Sequence, residues 1–563
     1  MKRWTIKDVD TDKADALAAK IGVSGLIAGI LVSRGYDTPE SARKFLHPEL
    51  TDLYEPFLLR GMKETVARVF EAIDNKEKIL IWGDYDVDGT TGTVVLRKAL
   101  SMLGAETVYH VPHRFLEGYG INIPELEKAK EGGVSLVISV DCGITAFEEA
   151  EWARENGVDL IITDHHLPKE GSVPDAYAVV NPNQPKCEYP DKNLAGVGVA
   201  FKLVHALLRE RGKENMVPHF LKVVAIGTIA DVVKLTDENR AIVWLGLKDL
   251  PKARNYGLKA LMEVCDCTDE MTSNDIGFRL APRINAAGRM DAAKHVVELL
   301  EVDSFGEARK LAEYLDRKNI ERKKVQAEIT QKAINETAEL GNSHFVVVSG
   351  EKWHRGVIGL AASRVTEKLH RPTIVLSVED GVASGSARSI SGYHLVKALD
   401  SCSELFEKYG GHAAAAGMTL KAENIETLRE VLEAHAARTL TDEDLIPEVK
   451  IDAEVESEDL NLELVDEIKM LEPFGMGNPR PVFLTRDLKI VSEPFVMKEK
   501  HLKLKLSNGS GSLFEAVWWD GVAASEGQTL TVGTGIELVY TPEKNTWNGA
   551  SRLQLVIKDI RSI

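Results

Sequence analysis

Three aspartates at alternate positions, Asp84, Asp86 and Asp88, sit within residues 79–93, ILIWGDYDVDGTTGT. Carboxylates this close repel one another unless a multivalent cation sits among them. D-x-D-x-D-G also opens the calcium loop of an EF-hand. That loop needs a glutamate at its twelfth position, where counting from Asp84 reaches Val95. An EF-hand loop also lies between helices, whereas the four apolar residues Ile79 to Trp82 read as a buried parallel strand. The calcium reading fails on both counts. What remains is a carboxylate metal site at the C-terminal end of a strand. Gly89 is expected to turn the chain, and Thr90 to cap a helix starting near Thr93.

The same arrangement recurs downstream. The strand-like run 136–140 ends in Asp141-Cys142-Gly143, and the run 160–163 ends in Asp164-His165-His166. A further apolar segment, 225–230, ends in Asp231. Helical patterns at 94–103, about 124–130 and 147–155, with a strand at 107–111, complete an α/β rhythm. An aspartate after a strand is more often a helix cap than a ligand. Several at the ends of strands in one doubly wound sheet, where such sheets bind ligands, are hard to explain as caps. Carboxylate plus imidazole suits manganese or magnesium, and a bridging carboxylate holds two ions roughly 3.5–4 Å apart. Such a pair serves in-line phosphoryl displacement, so the residues alone indicate metal-dependent phosphoester hydrolysis. Gly196-x-Gly198 follows no strand and lacks a dinucleotide fingerprint, and no Walker A motif is present.

A chain of 563 residues suits about three or four domains. With 44% apolar and 28% charged residues it reads as a soluble globular protein. A net charge of −18 argues against non-specific coating of nucleic acid or anionic membrane, though bound cations and a local basic channel reverse the sign locally. The five cysteines are too scattered for a disulfide framework, and Cys265-x-Cys267 has no second pair for zinc. The N-terminal MKRWTIKDVD lacks a signal-peptide core, and the apolar run 21–32 is too short to span a bilayer, so a cytoplasmic protein without a membrane partner is expected.

The segments GDYDVDGTTGT, VDCGIT, TDHH and GTIADVV resemble the four motifs of the DHH phosphoesterases. The tyrosine in GDYDVDG and the later NAAGR, Asn285 to Arg289, resemble more narrowly the RecJ branch, bacterial single-strand-specific 5′→3′ exonucleases. The resemblance runs along nearly the whole chain, and no expected ligand position is substituted. It implies two α/β lobes, a DHH domain and a DHH-associated domain, joined by a long helix and followed by an all-β OB barrel. The expected division is an N-terminal helical segment 1–75, DHH domain 76–300, connecting helix 301–340, DHH-associated domain 341–446 and OB domain 447–563. It further implies two Mn2+ or Mg2+ ions held by Asp86, Asp88, Asp141, His165 and Asp231, with Asp84 and His166 supporting catalysis.

Past Asp291 a helical stretch to about Leu340 carries charges of both signs, suited to a solvated helix with pairs such as Glu313–Arg317. Through the resemblance, Asn319, Arg322 and Gln326 on it face DNA. A second α/β unit follows: a strand at 345–348, then His354, Arg355 and glycines opening a helix, Gly385-Ser386-Ala387-Arg388-Ser389 read as a glycine-flanked loop, and Gly410-Gly411-His412. Glycines beside Arg, Ser and His let backbone N–H groups approach a phosphate. The resemblance makes Ser386 and Arg388, with Arg114, holders of a terminal 5′ phosphate. It places Arg289, His354, Arg355, Gly411 and His412 among the substrate contacts, the GGH facing the metals across a cleft.

After an acidic stretch, LEPFGMGNP at 471–479 reads as a turn-rich linker. Some five short alternating strands then suit an OB barrel, with Lys500, Lys503 and Lys505 outward, Leu502, Leu504 and Leu506 inward, and Trp518 and Trp519 on opposite faces. The expected activity is two-metal 5′→3′ hydrolysis of single-stranded DNA to 5′ mononucleotides in recombination and repair. Single-stranded-DNA-binding protein and a RecQ-type helicase are the expected partners of a monomer. Two alternatives stay open: a DHH enzyme acting on short oligoribonucleotides, cyclic dinucleotides or pyrophosphate, and a catalytically silent DNA-binding relative.

Overall fold

In the computed structural model the chain forms two compact units. One comprises Ile6–Asp316 with Ile451–Ile563; the other comprises Arg317–Lys450 with the N-terminal residues up to Thr5. The structure describes residues 2–114, 116–267, 270–290, 293–339, 343–547 and 549–563. Asp291 and Leu340, the expected ends of the long helical stretch, and the 340/341 boundary lie outside the described residues.

The first unit is built on a five-stranded, fully parallel sheet. Its strands are β1 (Lys78–Gly83), β2 (Glu106–His110), β3 (Val134–Val140), β4 (Asp159–Thr163) and β5 (Ala178–Val180), in the order β2-β1-β3-β4-β5. Parallel strands are covered on both faces, which is why β1 reads as an unbroken apolar run. Ile79 and Ile81 enter one core while Leu80 and Trp82 enter the core on the opposite face. The strand order reverses between β1 and β3, the place where open α/β sheets bind ligands.

The helices that matter for the site are α1 (Val87–Met102), α2 (Gly196–Glu210), α3 (Leu221–Ala230), α4 (Asp237–Asp249), α5 (Tyr256–Val264) and α6 (Ala281–Met290). The first helix begins at Val87, not near Thr93, and Gly89 lies inside it. The segment before Asp231 is helical, because its all-round apolar character buries it against α1 and α4 rather than in the sheet. The expected stretch toward Leu340 is broken at 302–304, between the helix Lys294–Glu301 and α7 (Phe305–Glu339). On α7, Glu313 pairs with Arg309 at 3.0 Å.

Among its described residues the N-terminal segment holds four α-helices, two short 3-10 helices and a short strand, Arg3–Ile6, that the pattern did not suggest. Apolar residues of its helices, among them Ile27, Leu31 and Phe45, share one core with Phe483, Leu504 and Ile557 of the C-terminal barrel. Among the described residues no single helix is long and apolar enough to cross a membrane. The run 471–479 is no linker. Leu471 and Asn478 are fully buried, and Arg240 of α4 donates to the carbonyls of Leu471, Glu472 and Pro473 as well as Phe45. A buried guanidinium needs such acceptors, and they fix the loop.

The barrel comprises β12 (Phe483–Ile490), β14 (His501–Ser507), β15 (Leu513–Trp518), β16 (Gly535–Trp547) and β17 (Ala550–Ser562), with the short β11 (Ala453–Glu454) and β13 (Phe495–Met497) at its margins. Pairing runs β12-β14-β15-β17-β16 and back to β12, with β15 and β17 parallel, which is OB topology. Leu502, Leu504, Leu506 and Trp518 are buried, and Trp519 is exposed beside His501.

The second unit carries the mixed sheet β9-β10-β8-β7-β6, formed by β6 (Val346–Glu351), β7 (Thr373–Glu379), β8 (Val382–Arg388), β9 (Phe406–Gly411) and β10 (Ala415–Lys421), with α8 (Arg355–Leu369) packed on it. Ser386 and Arg388 therefore stand on a strand, not in a loop; seven consecutive residues of β8 pair with β10.

Candidate active site and metal centre

Register sets the site. Gly83, Val140, Thr163 and Val180 are neighbours across the sheet, and the ladder continues one residue further. Asp84 N donates to Val140 O at 3.3 Å, Asp141 N to Thr163 O at 3.0 Å and Asp164 N to Val180 O at 3.2 Å. Three aspartates thus stand side by side at the carboxyl edge. Asp141 does so with φ +64°, and Val232, next to Asp231, with φ +61°, conformations that cost a non-glycine residue energy and cluster at functional sites.

Asp86 is the N-cap of α1, its carboxylate accepting from Gly89 N at 3.0 Å. Thr90 does not cap; its hydroxyl bonds back to Asp86 O at 2.6 Å. A Cβ on Gly89 would lie 2.6 Å from the Asp84 backbone, so the glycine permits contact between helix and strand end. Asp88, fully buried, receives Gly196 N at 2.6 Å and Val197 N at 2.7 Å from the first turn of α2. Asp231 is the C-cap of α3, where the helix dipole is negative and adds to the demand for a cation.

These elements converge on His165. Its Nε2 lies 3.2 Å from Asp141 Oδ1, 3.6 Å from Asp231 Oδ2 and 3.9 Å from Asp88 Oδ2. Three overlapping donor sets form: Asp141, His165 and His166; Asp88, His165 and Asp231; and Asp84, Asp86 and Asp141. Asp84 Oδ1, Asp141 Oδ1, His165 Nε2 and Asp231 Oδ2 are buried without a hydrogen-bond partner. Buried polar atoms are normally satisfied, so four such orphans distributed over overlapping donor sets fit oxygen- and nitrogen-liganded divalent cations.

Electrostatics agrees. Burial, then the neighbouring Asp86, pushes Asp84 up to about 8 and Asp231 up to about 7. Asp88 and Asp141 are driven well above the carboxylate range by burial and by their acidic neighbours. Burial and His166 push His165 down to about 4, which keeps its ring neutral and able to ligate. Asp164 differs. Burial would raise it, but His166 Nδ1 at 2.7 Å and the amides of His165, His166 and Ile144 outweigh burial and hold it below its ordinary value. Asp164 is thus an orienting group, and burial notwithstanding, its bond to His166 raises that imidazole.

A cavity of about 290 Å³ opens on these groups, lined also by Tyr85, Arg114, Tyr119, Asn285, Gly288 and Arg289. Arg114 lies over the Tyr85 ring at 5.0 Å, and Tyr119 donates to Asp141 O at 3.3 Å. Sequence reasoning missed Tyr119, Asn285 and the Gly196–Val197 amides. The Gly-x-Gly spacing was the available signal for the last, weighed only as a dinucleotide fingerprint.

In the other unit, Arg388 donates to Ser386 Oγ at 2.9 Å, and both pack against Gly359, where a Cβ would lie 3.0 Å from Ser386 Oγ. His354 caps α8, accepting from Gly356 N at 3.2 Å, and Arg355 pairs with Glu379 at 3.8 Å. Gly411, at φ +152°, enters a tight turn with His412 exposed. Asn319, Arg322 and Gln326 form a chain on α7, Arg322 donating to Asn319 Oδ1 at 2.9 Å and Gln326 Oε1 at 2.9 Å; Asn319 and Arg322 are buried.

Family models match in chain order: the DHH family N-terminal domain over 78–228, the DHHA1 domain over 342–438 and the RecJ OB domain over 451–559. The single-stranded-DNA-specific exonuclease RecJ of Bacillus subtilis is 43% identical over 562 residues, covering 99% of this chain and 70% of that protein. The chain belongs to the RecJ family. The Escherichia coli RecJ is 34% identical over 89% of this chain and 90% of its own length. Among solved structures, RecJ from Thermus thermophilus in complex with Mn2+ matches with TM-score 0.85 at 30% identity, over 99% of this chain and 79% of that one. The RecJ fold thus comprises the DHH and DHHA1 α/β regions and the C-terminal OB barrel found here.

Proposed function

We propose that this protein is a manganese- or magnesium-dependent exonuclease that degrades single-stranded DNA from the 5′ end, releasing 5′ mononucleotides in recombination and repair. The observation that carries the reading is the set of four buried, partnerless donor atoms spread over three overlapping clusters, two of acid and imidazole and one of carboxylates alone. RecJ of Thermus thermophilus was solved with Mn2+ and with Mg2+, and curated relatives are named single-stranded-DNA-specific exonucleases.

Asp86, Asp88, Asp141, His165 and Asp231 would hold two ions. When bound, the ions supply a Lewis acid and an activated water at the scissile phosphorus. The protein does the rest. The α2 amides fix Asp88. Asp164 holds the His166 proton at Nδ1 and turns Nε2 toward the cavity, to contact a phosphate oxygen or protonate the leaving group. Arg114 and Arg289 offer planar donors to phosphate. In the second unit Ser386 and Arg388 hold the terminal 5′ phosphate, and His354, Arg355, Gly411, His412, Asn319, Arg322 and Gln326 complete the substrate contacts. The same proposal divides the chain as the sequence suggests: helical segment 1–75, DHH domain 76–300, connecting helix 301–340, DHH-associated domain 341–446 and OB domain 447–563. The closed barrel with exposed Trp519 supports strand substrates over cyclic dinucleotides, since bases stack on such platforms. Partnership with single-stranded-DNA-binding protein and a RecQ-type helicase, a monomeric state and a cytoplasmic location belong to the same proposal.

The test is degradation of single strands labelled at either end, with Mn2+ or EDTA. Wild type should release a 5′ label first as mononucleotide, and Asp141→Ala should fold normally yet retain no more than a few per cent of turnover. Shortening from the 3′ end, or an active Asp141→Ala protein, would overturn the reading.

A further inference from the structure

The Cys265-x-Cys267 pair lies outside the metal site yet is wired to it. Of the five cysteines, only Cys267 is not buried. Cys265 caps the C-terminus of α5, Asp266 follows with φ +50°, and Cys267 N donates to Met262 O at 3.0 Å. Residues two apart in so tight a turn lie within the roughly 4.4–6.8 Å Cα separation that a disulfide accepts. The Cys267 thiol donates to the Cys265 carbonyl at 4.0 Å, and the neighbouring Cys265 thiol, with Arg279 and Arg283 nearby and against the effect of burial, holds the Cys267 thiol below its ordinary value while Cys265 is raised. A partly exposed cysteine two residues from a buried one suits an attacking and a resolving thiol.

The turn connects to the cavity through one residue. Arg279 donates to the carbonyls of both Cys265 and Asp266 and pairs with Asp275 at 3.0 Å, while the Cys265 thiol donates to Arg279 O at 3.6 Å. Arg283 Nη1 donates to the same Arg279 carbonyl at 2.7 Å. Arg279 lies in a π-helical turn, Ile276–Leu280, a form often found at functional sites, and this turn leads directly into α6. On α6, Asn285 and Arg289 line the metal cavity, and a Cβ on Gly288 would lie 2.4 Å from Tyr85 O, leaving no slack between helix and metal loop.

We propose that Cys265 and Cys267 are an oxidisable dithiol whose disulfide shifts the Arg279 turn and α6 and so lowers nuclease activity reversibly. With hydrogen peroxide as oxidant, the Cys267 thiolate attacks one peroxide oxygen, the O–O bond breaks, and the departing hydroxide takes up a proton as water, leaving a sulfenic acid. The Cys265 thiol then attacks that sulfur. The S–S bond forms, and the sulfenic hydroxyl leaves as a second water with the Cys265 proton. Two thiols are oxidised and one peroxide is reduced.

The activity arm rests on the nuclease reading; the chemical arm does not. Full-length protein is treated with graded peroxide, and its free thiols are counted and peptides mapped by mass spectrometry. A Cys265–Cys267 crosslink is expected, with turnover on a single strand falling roughly three- to thirtyfold, the range of couplings through packed elements. Dithiothreitol should restore it. Cys267→Ser should keep basal activity and resist the loss. Absence of the crosslink, a crosslink without loss of activity, or equal inhibition of Cys267→Ser would each overturn the proposal. A wild type inactive before oxidation would instead implicate the nuclease reading, and the crosslink would still be scored.

Discussion

Gly196 and Gly198 open α2 two residues apart, and the structure predicts opposite outcomes for the same substitution. A Cβ on Gly196 would sit 2.5 Å from both Cβ and Oδ1 of Asp141, a separation real methyl groups do not tolerate. Asp141 cannot yield freely, because its backbone is held at φ +64° by the bond to Thr163 O. The other way out is withdrawal of α2, which stretches the 2.6 and 2.7 Å bonds that fix Asp88. Either movement displaces an expected ligand. Disturbing the supports of metal ligands weakens metal binding by about 10- to 100-fold, and overpacking itself costs about 1–3 kcal/mol. A Cβ on Gly198 would instead meet Leu194 at 3.4–3.5 Å, ordinary contact, and replacing a helix glycine contributes up to about 1 kcal/mol. Gly196→Ala should therefore need far more Mn2+ for half-maximal turnover, and Gly198→Ala should match wild type with an equal or higher melting temperature. Calorimetric Mn2+ titration and turnover across a Mn2+ series measure both. A Gly196→Ala protein with wild-type metal affinity would refute the idea that this glycine makes room for the metal cluster.

Without metal, Asp84 and Asp231 keep protons that an unfolded chain loses near 3.8, so their folded values are raised. Their contribution to stability is present below about pH 4 and is lost as pH rises toward about 8, by at most about 1.4 kcal/mol per group and pH unit. EDTA-treated protein should thus melt lower at the alkaline end, and Mn2+ should raise its melting temperature more there; a flat apo profile would contradict the burial argument. Arg240→Leu orphans the carbonyls of Phe45, Leu471, Glu472 and Pro473 in the core shared by N-terminal helices and barrel, and should cost roughly 3–5 kcal/mol, read by denaturant unfolding, with an unchanged midpoint counting against the clamp. Arg388→Lys keeps the charge but not the fork, so degradation of 5′-phosphorylated strands should fall more than that of 5′-hydroxyl strands, and equal losses would remove Arg388 from end recognition.

The sequence by itself determined the chemistry and most elements around it. A short apolar run closed by a glycine and a turn at residue 83 suits a central strand, and acids with histidines gathered at strand ends have few uses other than binding cations. Short-range signals also placed the helices 123–131 and 147–155, because periodicity and caps are local. What stayed hidden depends on distant contacts. Asp231 comes from a helix end, since a run apolar all round fits a buried helix as well as a buried strand and only packing against α1 and α4 decides. The α2 amides on Asp88 lie 108 and 109 residues away in sequence. The supposed linker 471–479 became a buried loop because Arg240, 231 or more residues earlier, needs its carbonyls. Spacing reports which residue types are available for a site; the register of neighbouring strands and the approach of helix ends, both tertiary properties, decide which of their atoms meet.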